Sequence, residues 1–248
     1  MSWRFGRWWL AGIIVYLVFL LATLPAGYVV VWLHQRVPDL QLEGVHDSVW
    51  AGSAQDIAWQ GQSWGRLRWR FDWAALATGH LGFFLVLNAA DLALQARVAG
   101  NSRNFQLEDV VGHLPVNQLA HWLPLPSGSV AGQINIGMQR LVLTNAHPSA
   151  ADGTIDLTSL SLNWPQPVAL GDYELKLQTQ GESIHGSLLD TSGPLMVQGS
   201  LRVTADGSYD LTGVVVSRDP ANTALSNLLQ YLPSKQDGKY AFNFSGKW

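Results

Sequence analysis

The hydrophobic and polar positions of this chain change character at about residue 37. Before that point, residues 8–33 form an apolar run without a charged side chain. Beyond it, apolar and polar residues alternate in many short segments, as where Leu67, Trp69 and Phe71 are separated by arginines. A period of two is typical of a strand with one wet face. The pattern predicts an apolar helix followed by a mainly β protein.

The apolar run 8–33 is long enough to cross a membrane as one helix, which needs about 20 residues. Arg4 and Arg7 precede it and acidic residues dominate soon after it, so the basic N-terminus is expected to stay in the cytoplasm. The rest of the chain then lies on the far side. Pro25 lies inside the run, where the helix is expected to kink or end. The aromatic residues expected to anchor the helix at the two interfaces are Trp8, Trp9, Tyr28 and Trp32.

A cleaved signal peptide is the alternative interpretation of the same run. Cleavage after Ala26 would place a small residue at the −1 position. Leu24, however, suits the −3 position poorly, and strong hydrophobicity resumes at Tyr28. The sequence therefore favours a retained anchor.

Beyond residue 37, the sequence predicts strands separated by turn residues. A hairpin across Gly61 is expected to join the strand at 54–60 to the strand that carries Trp69. Two short helices are expected, one opened by Pro115 and one with Asp219 as its N-cap. The further strands are predicted at 81–88, 92–99, 105–111, 128–137, 139–146, 153–164, 171–180, 183–189, 194–203, 207–216 and 239–245.

The two parts of this region resemble each other at an offset of 103 to 105 residues, since Gln95 is matched by Gln198 and Phe105 by Tyr209. Such a repeat predicts two similar halves, each with strands and a short helix. The fold expectation is a mainly β protein: one transmembrane helix followed by an antiparallel β-sheet domain. The expected divisions are 1–37 for the tip and anchor, 38–127 for the first half and 128–248 for the second half.

Composition narrows the class of function. After Arg36, the chain carries 12 basic and 18 acidic residues, which gives no electrostatic footprint for nucleic acid. Cysteine is absent, so disulfides and thiolate metal sites are excluded.

Motifs for catalysis or cofactors are weak. The stretch from Gly61 to Gly65 matches the G-x-S-x-G nucleophile elbow around Ser63, but that elbow needs a helix after the serine and a strand pattern follows here. No close histidine ligand pair and no phosphate-binding glycine loop occur. We therefore expect no catalytic, cofactor-binding or metal-binding residues, and no enzyme.

Two groups of side chains are candidates for contact. Arg66, Arg68 and Arg70 project from one strand face and could bind lipid head groups or an acidic partner, although a solvated sheet face is the simpler interpretation. Trp69 is expected to be buried or to line a groove, as is Trp59, whereas the turn residue Trp64 is expected to be more exposed.

The order of several short motifs resembles the type II secretion system protein N family. They are the basic N-terminus and apolar span, Leu24-Pro25-Ala26, the stretch VHDSVWAGSA at 45–54, GRLRW at 65–69, VALGDY at 168–173 and Gly193-Pro194-Leu195. The family usually has G-T-V-W-x-G at the second site, where this chain has DSVWAG at 47–52.

The resemblance implies a single-pass protein of the bacterial inner membrane with most of its chain in the periplasm. It implies an accessory component that acts by protein–protein interaction in the export of folded proteins. Its partners would be other secretion-system envelope components and the inner membrane, with no catalytic residues to carry over.

A second class of function stays open. A membrane-anchored, repetitive open sheet is also similar to the AsmA-like envelope proteins, which handle lipid in apolar β-grooves. A concave face lined continuously with apolar side chains would favour lipid, whereas an exposed edge strand would favour protein contact by β-augmentation.

Overall fold

A computed structural model describes most of the chain, and strands dominate it, which confirms the mainly β prediction. The strands form a 3-stranded sheet and a 14-stranded sheet, and all pairings are antiparallel. The described residues are 12–13, 16, 19–20, 22–28, 30, 37–77, 79–100, 104–119, 129–144, 147–163, 166–219, 221–232, 234–236 and 238–247.

Strands are numbered in chain order. The small sheet contains β1 (Leu40–Glu43), β4 (Asp56–Trp59) and β5 (Gln62–Ser63). The large sheet contains, in spatial order, β2 (His46–Asp47), β3 (Ala51–Ala54), β6 (Arg66–Phe71), β7 (Leu81–Asn88), β8 (Ala93–Gly100), β9 (Asn104–Pro115), β10 (Val130–Thr144), β11 (His147–Leu162), β12 (Val168–Gln180), β13 (Ser183–Ser192), β14 (Leu195–Thr204), β15 (Ser208–Ser217), β17 (Lys239–Lys247) and β16 (Ser234–Gln236).

The predicted hairpin between 54–60 and the Trp69 strand is wrong. The strand β4 pairs with β1 and β5 instead, and β6 pairs with β3 and β7. Gly65 explains the change of sheet: its φ is +92°, and a Cβ there would lie 2.5 Å from the carbonyl oxygen of Asn88. Only glycine allows the chain to turn so tightly from the small sheet into the large one.

Strands of both predicted halves lie in one continuous sheet, because β9 pairs with β10 along most of its length. The separate strands predicted at 128–137 and 139–146 are one 15-residue strand. The ladder between β10 and β11 shifts register between Met138 and Arg140, whereas the ladder between β10 and β9 keeps its register there. A bulge reverses the alternation there without ending the strand, which made the sequence pattern look like a turn.

One face of the large sheet is apolar across 12 strands. Residues directly opposite each other in neighbouring strands lie on the same face of a sheet. The register places one uninterrupted row there: Ala54, Leu67, Leu87, Leu94, Gly112, Ile136, Ile155, Leu175, Leu188, Gly199, Gly213 and Phe242. We call this side the apolar face.

The opposite side, the polar face, carries a matching row one residue along each strand. This row runs through Ser53, Arg68, Val86, Gln95, Val111, Gly137, Thr154, Lys176, Ser187, Ser200, Thr212 and Asn243.

The sheet curls around its apolar face. The strands β11 and β13 are separated by β12, yet their Cα atoms approach within 8 Å, closer than the roughly 9.5 Å that two strand spacings give in a flat sheet. Met138, Ile184 and Val203 are buried together on the apolar face near this bend. Because the sheet curves, its own strands bury part of the apolar face.

Two helices lie beside the large sheet, α1 (Trp73–Ala77) and α2 (Thr223–Leu229). Leu225 and Leu229 of α2 pack on the apolar face of β15 and β17. The N-cap of α2 is Asn222, whose side chain accepts a hydrogen bond from the Leu225 amide, and not Asp219 as predicted. Asp219 accepts from the Ala221 amide in the preceding turn.

The other predicted helix, which Pro115 was expected to open, begins as a shorter turn. A 3₁₀ turn, Val116–Gln118, follows Pro115, and Val116 is buried. The rest of that predicted helix, from residue 120, lies outside the described residues.

The environment of Tyr173 shows that the apolar face beneath α2 is shielded from water. Its hydroxyl donates a hydrogen bond to the Leu170 carbonyl oxygen at 2.6 Å. Burial raises the pKa of Tyr173 to about 12, and the negative charge of Asp190 adds to the effect. The phenol therefore stays neutral and acts as a donor inside the cluster.

The N-terminal segment meets the sheet at Pro25. Described residues between 12 and 22 are helical, and the helix breaks near Thr23, as Pro25 led us to expect. Pro25 forms a β-bridge with Ser48, and the Val49 amide donates to the Leu24 carbonyl oxygen at 3.0 Å.

The predicted anchor falls largely outside the described residues. Trp8, Trp9 and Trp32 lie outside them, and Tyr28 is strongly exposed. Within the described residues, no helix combines the length and the apolar character needed to cross a bilayer.

Candidate interaction surfaces

The three predicted arginines lie on the polar face of β6. Arg66, Arg68 and Arg70 are all exposed, and they stand opposite Asn88, Val86 and Phe84 of β7. No carboxylate among the described residues lies within ion-pair distance of them. The Arg70 guanidinium stacks over the Phe84 ring at 5.3 Å. The three side chains thus form a strip of positive charge, called here the arginine strip.

Arg97, on the neighbouring strand β8, has a different environment. Its guanidinium lies 3.3 Å from Asp72 and 3.8 Å from Glu108, and 4.7 Å from the Phe84 ring centre. Asp72 is buried and also accepts from the amides of Ala74 and Ala75 at the start of α1. The positive charge of Arg97 is therefore balanced within the fold, whereas no described carboxylate pairs with the arginine strip.

An apolar groove of about 200 Å³ lies where the N-terminal segment crosses the apolar face. Ala26 and Val30 form one wall and Trp69 lies in the other. The Trp69 indole N–H is held by the carbonyl oxygens of Ser48 and Val49, each at 3.2 Å. The groove is lined by Ala26, Val30, Leu42, Val49, Leu67, Trp69, Phe83 and Leu85.

The tryptophans only partly follow the sequence prediction. Trp69 lines a groove, as expected, and Trp59 is half-buried in the small sheet. Trp64 is not the exposed turn residue that we predicted. It is half-buried and packs against the cluster of Leu92 and Leu114, because the turn at Gly65 folds it over the edge of the apolar face.

Ser63 does not sit in a nucleophile elbow. It is exposed in β5, and β6 follows it rather than a helix. Its hydroxyl donates directly to the Asp56 carboxylate at 2.6 Å, and that carboxylate also accepts from the Gly65 amide at 3.0 Å. The three residues close a turn. Within the described ranges, no three His, Asp or Glu side chains gather to hold a metal ion.

The last strand has an open edge. The strand β17 pairs with β15 over its length, but β16 covers only residues 239–241 on its other side. Residues 242–247 therefore have no second neighbouring strand among the described residues. Phe244, which is 56% exposed, lies on this free edge. At the other end of the sheet, β2 has only two residues, which blunts that edge.

Comparison with known proteins matches residues 38–243 to the family described as "Type II secretion system (T2SS), protein N". The chain belongs to this family. The matched region begins directly after the N-terminal segment and covers every strand up to the open edge of β17.

Two similar proteins carry the name Type II secretion system protein N. The protein from Aeromonas hydrophila is 25% identical over 243 residues, covering 95% of each chain. The protein from Vibrio cholerae serotype O1 is 23% identical over 218 residues, covering 84% of this chain and 85% of the other. No solved structure matches this chain.

Replacing Ser63 with alanine should leave secretion unchanged. The Ser63 side chain closes an exposed turn, and one hydrogen bond of this kind contributes about 1 kcal/mol to stability. The amount of secreted substrate, measured in cells that lack the native protein and express the variant at normal level, should match the wild type. A complete loss of secretion at normal protein level and melting temperature would contradict a non-catalytic role.

Proposed function

We propose that this protein is an inner-membrane-anchored accessory component of the type II secretion system, and that it acts by protein–protein contact in the periplasm. Its action is not catalytic. Family membership supports the system, and the N-terminal apolar run 8–33 supports the anchor. The proposed divisions are 1–37 for tip and anchor and 38–127 and 128–248 for the two halves.

The open edge of β17 carries the proposed mechanism. An exposed strand presents unpaired N–H and C=O groups to which an extended segment of a partner can add. Here Phe242 and Phe244 lie on the apolar face with ring centres 5.9 Å apart, and Asn243 and Ser245 lie on the polar face. A segment with apolar side chains at every second position fits this edge.

The test uses the open edge directly. A photo-crosslinking amino acid at Ser245, in cells that contain the complete secretion system, should become linked to another component of that system, identified by mass spectrometry. Phe244→Lys should reduce this crosslink and secretion several-fold, because lysine is a residue with which natural sheets block pairing at an edge.

Leu189→Lys is the matched control, since Leu189 is 42% exposed and lies on the polar face of β13, a strand with a neighbouring strand on each side. It should retain both the crosslink and secretion. Normal secretion by Phe244→Lys, or equal crosslinking from positions 189 and 245, would reject the edge as the contact site.

Lipid handling in the manner of the AsmA-like envelope proteins is the second candidate. The row of apolar residues that crosses 12 strands favours it, as does the groove beside Trp69, because both present apolar surface on the concave side of a curled sheet. Under this proposal, an acyl chain lies along the apolar face. The predicted consequence of losing Trp69 separates the two candidates and is given in the Discussion.

We further propose that the arginine strip is an interaction site. Its three guanidinium groups lack carboxylate partners among the described residues, and a phosphate or acidic side chain would neutralise them. The strip faces away from the groove, so it can contact an anionic partner whichever candidate function holds.

A further inference from the structure

Large apolar side chains are exposed together at one end of the first strands. Trp73 of α1 is 64% exposed and Leu76 is 47% exposed. Leu81 at the start of β7 and Phe105 at the start of β9 are exposed as well, and both lie opposite Gly100 of β8. Because Gly100 has no side chain, the two residues border one gap at the same end of the sheet. We call these four residues the apolar rim.

The apolar rim is built into the fold and is not a frayed loop. Asp72 caps α1 through the amides of Ala74 and Ala75, and Arg97 holds the other oxygen of the same carboxylate. A Cβ at Gly82 would lie 2.8 Å from the Ala75 Cβ, so glycine at this position allows α1 to pack closely against β7. The fold therefore fixes Trp73 and Leu76 in an outward position.

The N-terminal segment enters the sheet beside this rim. The ring of Trp73 stacks on the ring of Trp50, with centroids 5.5 Å apart. Trp50 follows Val49, whose amide donates to the Leu24 carbonyl oxygen. The apolar residues before Leu24 thus leave the described domain at the end where the apolar rim lies.

Charge supports the same orientation. From Trp73 to Ala90, the sequence contains no Asp, Glu, Lys or Arg. The strand β6, which ends directly before α1, presents Arg68 and Arg70 on the polar face. Exposed tryptophan and leucine next to arginine is the composition of a surface that lies at the boundary between acyl chains and anionic head groups.

We propose that the apolar rim is embedded in the interfacial layer of the membrane that holds the N-terminal run. This inference rests on the proposed anchor, and it adds an orientation: the α1 end of the sheet faces the lipid. A second copy of this chain could also cover an apolar patch, so the experiment separates that occupant from lipid.

The absence of cysteine makes the test direct. Single-cysteine variants Leu76→Cys and Leu81→Cys of the full-length chain carry an environment-sensitive fluorophore, with Tyr231→Cys as the matched exposed control. The chains are reconstituted in vesicles of phosphatidylethanolamine and phosphatidylglycerol. Labels at positions 76 and 81 should be quenched several-fold more by nitroxide-bearing lipids than by a water-soluble quencher, and the label at 231 should show the reverse.

Each other outcome has a distinct meaning. If the chain floats with the vesicles but labels at 76 and 81 behave like the label at 231, the anchor stands and the rim inference is overturned. A lipid-like signal that disappears when chains are diluted to one per vesicle assigns the rim to a second copy and also overturns it. A chain that does not float at all refutes the anchor and the rim together.

Discussion

Replacing Trp69 with alanine is expected to lower the free energy of unfolding by about 2–4 kcal/mol, somewhat less than the 3–5 kcal/mol typical of a fully buried tryptophan. Trp69 is half-buried, yet it is tightly held. A Cβ on Gly52 would lie 2.6 Å from the Trp69 ring, and two carbonyl oxygens accept from its indole nitrogen. For a chain of this size, the loss corresponds to a melting temperature lower by roughly 4–16 °C.

The measurement combines the melting temperature with the lipid content of the purified full-length protein. Trp73→Ala is the control, because Trp73 is largely exposed and its loss should change the melting temperature far less. If the Trp69 ring contacts an acyl chain in the groove, Trp69→Ala should instead keep its melting temperature and lose bound lipid. An unchanged melting temperature with no lipid in either form contradicts both accounts.

Leu225→Ala is expected to have the largest effect, about 2–5 kcal/mol of unfolding free energy. Leu225 is 0% exposed and packs between α2 and the apolar face, against the cluster that includes Val215 and Phe242. Removal of the Leu225 side chain leaves a cavity between α2 and the strands β15 and β17. The denaturant midpoint should fall, while the m-value, which reports the surface exposed on unfolding, should stay constant.

Asn227→Ala provides the control for Leu225 within the same helix. Asn227 is exposed on α2, and alanine has a higher helix propensity than asparagine, so its replacement should change stability by no more than about 0.5 kcal/mol. Equal losses in the two variants would show that the backbone of α2, rather than the Leu225 side chain, stabilises this end of the sheet.

The regular strands could be predicted from the sequence because their alternation is strict and their turns are marked. The predicted 183–189, 194–203 and 207–216 match β13, β14 and β15 closely at their starts, and Gly181, Gly193 and Gly207 adopt the positive φ that their turns need. The partner strands of β3 and of β4 could not be predicted, since the two strands alternate equally well. The turn at Gly65 carries the chain from β5 in the small sheet into β6 in the large one, and alternation does not report that turn.

The candidate interaction surfaces could likewise be predicted only where a local sequence pattern reports them. Alternation alone places the arginine strip on one face of β6. The groove needs Ala26 and Trp69, 43 positions apart in sequence, to be brought together, and no local pattern reports such a contact. The edge of β17 is open because β16 has only three residues, a length too short to detect by periodicity.

From β7 to β14, each strand hydrogen-bonds only to strands adjacent to it in sequence. Contacts of this kind close short loops, so the entropy lost at each step of folding is small. As in solenoid proteins, stability is then close to a sum over neighbouring units, and a chain can grow by adding one unit to a finished edge. Under the proposed topology, the N-terminus stays in the cytoplasm and the residues directly after the anchor reach the periplasm first, so each new strand can use the preceding one as its template while the chain is still being delivered. The last described strand, β17, keeps an edge that β16 covers only at residues 239–241.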